Sequence, residues 1–196
     1  MDALAHVGGA HCLDLVATLR RRYVEPRELL NTPQDLEAWF VSAGLWEARG
    51  KESANCSAAD LQSALLLRES IFNLLSARLA ARPAAAADLK LINAAACRPS
   101  LPPKIKSGSD GALVVASDLP EDGSEAASMT LSLIAREAIE LLGSRRFESV
   151  KRCAQDKCSL FFVDVSQGQR RRWCSMGRCG NLSKLANYRG KSAESA

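Results

Sequence analysis

Apolar and polar positions follow helical spacing over much of the first 144 residues, and the composition shifts at Arg145-Arg146. The opening run His11-Cys12-Leu13-Asp14-Leu15-Val16-Ala17-Thr18-Leu19 is mostly apolar with one carboxylate inside it. A strand and a short helix fit it equally well. Arg20-Arg21-Arg22 follows and reads as a solvated basic patch. Asn31-Thr32-Pro33 starts a helix with proline at its first position, Leu36, Trp39 and Phe40 form its apolar face, and Gly44 stops it. Trp39 and Trp46 are expected in the core.

Ser57 is placed to cap a long helix predicted over 58–80. Its Leu61, Leu65, Phe72, Leu75 and Leu79 recur at helical spacing, and Leu67, Ile71 and Leu74 widen the face. Arg68 falls close to that face, where its stem can cover apolar surface while its head reaches water; the alternative is a buried partner such as Asp14. After Pro83 an alanine-rich helix is predicted over 84–96, with Leu89 and Ile92, ending near Arg98-Pro99. Stretches 104–106 and 112–116 flank Ser107-Gly108-Ser109-Asp110-Gly111, the pattern of a β-hairpin. Ser124 is the expected start of a last helix over 125–142, with Ala127, Leu131, Ile134, Ala138 and Leu141 in register and Gly143 at its end.

The expected fold class is therefore mainly α with a small β-hairpin. A helical domain over 1–144 precedes a small zinc module over 145–196, treble-clef-like or ribbon-like. Composition adds a core of ordinary size, with 47% apolar residues in a chain of 196. No run of about eighteen apolar residues occurs, and Met1-Asp2-Ala3-Leu4-Ala5-His6 lacks the basic start of a signal peptide. A cytoplasmic protein with no membrane partner is expected.

Charge changes the picture more. Residues 145–196 hold twelve Lys/Arg against four Asp/Glu, whereas residues 1–144 hold fourteen against eighteen. The tail is thus basic and the body acidic, which points to an anionic partner for the tail, nucleic acid first.

Seven cysteines cannot all pair in disulfides, and four of them stand in two pairs, Cys153-Ala-Gln-Asp-Lys-Cys158 and Cys174-Ser-Met-Gly-Arg-Cys179. Fifteen residues separate the pairs. Two thiolate pairs with a hairpin between them are what one tetrahedral zinc ion needs. Leu160-Phe161-Phe162-Val163 is the expected first strand of that hairpin, Ser166-Gln167-Gly168-Gln169 its turn, and Arg171-Arg172-Trp173 its return. From about Arg178 a helix with Leu182, Leu185 and Tyr188 would pack on the hairpin. Four thiolates leave no open position for water, so the zinc is structural rather than catalytic. Cys12, Cys56 and Cys97 read as unreactive packed thiols.

These residues resemble a known family. Cys153-x4-Cys158, Phe162-x-Asp164-x-Ser166, Arg171-Arg172-Trp173-Cys174-Ser175-Met176 and Cys179-Gly180-Asn181 are similar to the CGNR zinc finger of bacteria. Leu13-Asp14-Leu15-Val16-Ala17-Thr18 and Leu67-Arg68-Glu69 are similar to the ABATE domain that precedes it. The resemblance implies a transcription regulator with one structural zinc held by Cys153, Cys158, Cys174 and Cys179, and DNA contacts from the finger. Two positions depart from the pattern: Leu182 stands where the namesake motif has arginine, and Ala17 where the N-terminal motif usually has asparagine.

The cations Arg170, Arg171, Arg172, Arg178, Lys184 and Arg189 are the expected phosphate contacts, with Asn181 as a base-reading or capping residue. A homodimer would supply symmetric half-sites. Asp14, Thr18 and Arg68 are the candidates for binding a small effector. No nucleophile–base set, phosphate loop or catalytic motif occurs, so an enzyme is not expected. The competing reading is a zinc-stabilised protein-interaction module on a ligand-binding body, without DNA binding.

Overall fold

The structure, a computed structural model, describes residues 6–47, 56–108 and 110–183. In chain order the elements are α1 (His11–Val16), β1 (Leu19–Arg20), β2 (Arg27–Glu28), α2 (Pro33–Ser42), α3 (Ala58–Leu79) and α4 (Ala86–Ala96). Then come β3 (Pro103–Ser107), β4 (Leu113–Ser117), α5 (Gly123–Gly143), β5 (Val150–Arg152) and β6 (Phe161–Val163). The strands form antiparallel pairs β1–β2, β3–β4 and β5–β6, so the protein is mainly helical with small two-stranded sheets. Packing groups the chain into two compact units, Leu30–Glu140 and a discontinuous one made of Met1–Leu29 with Leu141–Ala196.

In the helical unit the predicted starts of α2 and α3 are present as reciprocal caps. Thr32 accepts from the Asp35 N–H while Asp35 accepts from the Thr32 N–H at 2.8 Å, and Ser57 and Asp60 repeat the arrangement. Each cap satisfies two of the N–H groups that a helix start leaves unpaired. Gly44 follows α2 with a φ of 72°, the left-handed conformation that favours glycine. Trp39 and Phe40 are buried, and Trp46 packs on Phe40 with ring centroids 4.7 Å apart and donates Nε1–H to Thr130 Oγ1 at 2.8 Å.

Four expectations shift. The buried face of α3 is centred on Ala64, Leu67, Ile71, Leu74 and Leu75, while Leu79 is exposed and Phe72 only half-buried. Apolar residues occur on nearly every side of this helix, so spacing alone could not select the face. Arg68 does not reach water; it is buried, and its Nε–H donates to Glu69 Oε1 at 2.8 Å. The N–H groups that open α5 are capped by Asp122 Oδ1, which accepts from Ser124 and Glu125. The Ser124 hydroxyl instead donates to Asp60 Oδ2 at 2.7 Å. The β3–β4 register makes the connecting loop Gly108–Ala112, one residue later than expected, and leaves Ile105, Leu113 and Val115 exposed.

In the discontinuous unit α1 resolves the strand-or-helix ambiguity of the opening run. Asp14 explains why: its Oδ1 accepts from the Gly8 N–H at 2.8 Å, folding the preceding loop onto the first turn. A Cβ on Gly8 would sit 2.6 Å from Leu13 Cβ, so only glycine fits there. The same Gly8 gives its carbonyl to the Val163 N–H at 2.8 Å, tying the N-terminal loop to β6.

The expected finger hairpin is corrected. β6 pairs with the upstream β5, in register Val150↔Val163 and Arg152↔Phe161, not with Arg171-Arg172-Trp173. Residues 171–173 are not a strand; the Arg172 carbonyl accepts one bond, from Ala154 N–H at 2.9 Å. The physical reason lies at Asp164, whose side chain ends β6 by accepting from the N–H groups of Ser166 and Arg171. A carboxylate that captures local N–H groups turns the chain out of the ladder.

Candidate metal centre

Each cysteine pair sits on a tight turn. Cys153 and Cys158 bracket the loop between β5 and β6, closed by Cys153 N–H to Leu160 O at 2.9 Å and Cys158 N–H to Gln155 O at 2.8 Å. Cys174 precedes, and Cys179 lies within, one turn of π-helix spanning Met176–Gly180. Gly180 follows Cys179, and its Cα faces the Met176 thioether closely, so that a Cβ there would lie 2.8 Å from Met176 Sδ and displace that side chain.

All four sulfurs lie within 4.8 Å of one another. Cys158 Sγ is 3.9 Å from Cys174 Sγ, which is 3.5 Å from Cys179 Sγ. Zinc–sulfur bonds of the usual length set a tetrahedron whose edges are about 3.8 Å, so the separations already match one zinc ion. Ionisation argues the same way. Hydrogen bonds from Cys158, Cys174 and Cys179 hold the Cys153 thiol well below its ordinary range, while the same network pushes Cys174 and Cys179 up. Four thiols at this spacing cannot all lose their protons unless a cation offsets the charge, and a divalent metal allows it.

The centre is embedded in apolar packing. Cys153, Cys174 and Cys179 are buried with Leu160, Phe162 and Ala17, and Val7 and Trp173 pack against them. Ala17, one of the two departures from the family pattern, is thus part of the wall around the sulfurs. Cys12 and Cys56 are buried and Cys97 is exposed. Burial, aided by Glu37 and Asp60, pushes the Cys56 thiol up to about 12, so it stays protonated and unreactive.

Asp164 organises the rest of the finger and went unassigned in the sequence beyond its place in a motif. It is buried, accepts from Lys151 Nζ at 2.7 Å and from the Arg171 N–H at 2.9 Å, and takes both the hydroxyl and the N–H of Ser166. Burial would raise its pKa, but these donors outweigh it and hold the carboxyl below the usual range. The local signal was Asp164-x-Ser166, an Asx-turn pattern.

The arginines divide by role. Arg171 is half-buried: its Nε–H donates to Trp173 O at 2.8 Å, Nη2 donates to Cys174 O, and its guanidinium stacks 4.5 Å over Phe162. Arg170, Arg172 and Arg178 are exposed, Arg172 lying 5.3 Å over the Trp173 ring. Asn181 is exposed and donates Nδ2–H to Gly177 O at 3.3 Å, the capping alternative. Lys184 and Arg189, with Leu185 and Tyr188, lie outside the described residues. Leu182 is 56% exposed rather than packed on a hairpin. Of the effector candidates, Asp14 and Thr18 are buried in the discontinuous unit, Thr18 donating Oγ1–H to Leu15 O at 2.7 Å, and Arg68 is buried in the helical one.

A helical body with a four-thiolate structural site defines a zinc-finger protein whose metal holds shape rather than performing chemistry. Family comparison agrees: the ABATE model, described as "Putative stress-induced transcription regulator", matches residues 9–145, and the CGNR zinc finger model matches residues 149–192. The chain belongs to the ABATE family and carries a CGNR zinc finger after that domain. No curated protein matches it significantly. Among the described residues no helix is long and apolar enough to cross a membrane.

Proposed function

We propose that the protein is a transcription regulator that binds duplex DNA through the CGNR finger, with residues 145–196 as the DNA-contacting part and residues 1–144 as the regulatory part. The observation that carries this is the set of exposed cations Arg170, Arg172 and Arg178 on a scaffold whose shape the cysteine centre fixes. Such side chains meet phosphates, giving affinity that falls with salt and little sequence choice. Asn181 is the residue on this surface that could read a base edge, and pairing of two chains would add half-site spacing. With all four metal positions filled by sulfur the centre offers no catalytic position, so the reading is of a non-enzyme. Effector control belongs to the same proposal, with Asp14 and Thr18 in one compact unit and Arg68 in the other as buried polar side chains, each a separate candidate.

The test is titration of labelled duplex DNA with zinc-loaded protein at several salt concentrations. Replacing Arg170 and Arg172 together by alanine should weaken binding and flatten the plot of log affinity against log salt by roughly 1 to 2 units, while zinc content stays unchanged. Arg171 is left intact because its loss would disturb the fold and not only the surface. If the zinc-loaded protein binds no duplex at low salt, the protein-interaction reading takes over.

A further inference from the structure

Beside the cysteine centre, inside the discontinuous unit, lies a cavity of about 910 Å³. Hairpin β1–β2 with its connecting loop forms one part of its wall, and the two cysteine turns form another. Five cations line it, Arg20, Arg21, Arg27, Lys157 and Arg178, against one carboxylate, Glu25, which is paired with Arg21 at 2.8 Å. Counting four thiolates with a zinc as −2, the surroundings remain positive by about two charges.

The placement of these cations is unusual in three respects. Arg20 and Arg27 are direct partners across β1–β2. Opposite residues of an antiparallel pair share a face, and like charges there destabilise it. The ladder has only two residues a strand, and an anion shared by the two guanidiniums would favour the pairing. Arg20 is also buried, although the arginine run of which it is part reads in the sequence as a solvated patch. Next to it Arg21 adopts a φ of 52°, a conformation that costs a side-chain-bearing residue free energy and that collects at ligand sites.

The remaining wall sets the apolar Pro26, Leu160 and Leu182 beside the polar Gln155 and Ser159 and the cysteines Cys158, Cys174 and Cys179. Leu182 is the residue that replaces the namesake arginine, so at this point the cavity has gained apolar surface where another cation is expected. The volume is that of a small-molecule site, and the pairing of cations with apolar side chains suits a ligand that is part phosphate and part organic ring.

We propose that this cavity is a binding site for a nucleotide, its phosphates taken by Arg20, Arg27, Lys157 and Arg178 and its organic part resting against Pro26, Leu160 and Leu182. The site stands whether or not the finger binds duplex DNA. Its occupant links the N-terminal hairpin to the finger, which the Arg22 N–H to Ser159 Oγ contact at 3.4 Å and the Arg152 guanidinium 4.5 Å over Tyr23 already hold side by side.

The experiment is calorimetric titration of the zinc-loaded full chain, at physiological salt, with ATP, AMP, inorganic pyrophosphate and inorganic phosphate. Saturable binding of one ATP or AMP per chain, tighter than that of inorganic phosphate, is expected. Arg27→Ala and Lys157→Ala should each weaken it by about tenfold or more, whereas Arg170→Ala, outside the cavity, should leave it unchanged. Leu182→Arg should shift preference toward pyrophosphate. Equal zinc content in all four variants separates loss of the site from loss of the fold. The proposal is overturned if neither nucleotide saturates, if both cavity variants bind as well as the parent, or if a short DNA duplex takes the place of ATP with the same dependence on Arg27 and Lys157, which would make the cavity a seat for DNA phosphates.

Discussion

At Asp164 a single buried carboxylate holds three parts of the finger: β5 through Lys151, the turn through Ser166, and the approach to Cys174 through the Arg171 N–H. Its pKa is held down, so its contribution to stability is present above the unfolded carboxyl value and lost as pH falls through the lower folded one. Asp164→Asn should therefore lower the denaturation midpoint of the zinc-loaded protein by an amount that stays constant between about pH 8 and pH 5, since the native carboxyl is ionised in both states across that range. A gap that shrinks near pH 6 would contradict the assignment. Arg171 is argued at the same scale: Arg171→Ala removes a cation over Phe162 and two bonds to main-chain carbonyls and should cost about 1–3 kcal/mol and weaken zinc retention. Arg170→Ala should change neither, which a zinc-competition assay with a chromogenic chelator reads directly. The four cysteines were legible because metal ligation leaves a spacing in the sequence. The difference between Arg170 and Arg171 was not, because it depends on which neighbour stands over Phe162 after folding.

Among the elements, helix starts were legible where the signal is local. Thr32 with Asp35 and Ser57 with Asp60 lie within one turn, and the structure has both caps. Sequence points to Ser124 as the start of α5, whereas Asp122 caps it, because serine and aspartate are both good caps and lie two residues apart; the Ser124 hydroxyl donates to Asp60, a contact from a distant helix. Asp122→Ala should thus destabilise the helical unit by about 0.5–2 kcal/mol through loss of the cap. Ser124→Ala loses the bond to Asp60 without uncapping α5, and the two thermal unfolding curves should differ accordingly. The partner of β6 was illegible for a related reason. Strand propensity marks Phe161–Val163 as a strand but cannot choose between an upstream and a downstream neighbour, and that choice is made by the Asp164 turn.

For the whole molecule, composition marks a change near Arg145, and the family models meet close to that point. Compact packing follows another line, because residues 1–29 fold with 141–196. Pairings of that range, such as Val163 N–H to Gly8 O and Arg146 Nη2 to Gly9 O at 2.7 Å, leave no local mark in the chain. Removing zinc with a strong chelator should therefore open protease sites within 7–29 as well as within 150–183, while most of the helical circular-dichroism signal is kept. Cleavage confined to the last fifty residues would show that the N-terminal segment does not depend on the finger. The discontinuity also bears on the timing of synthesis. Leu13, Leu15 and Val16 leave the ribosome early, yet Phe161, Phe162 and the second cysteine pair of their unit leave it only after all of 30–140, a wait on the order of ten seconds. During that interval the helical unit can complete itself, and an apolar leading segment must be kept from the wrong surface until the last quarter of the chain arrives.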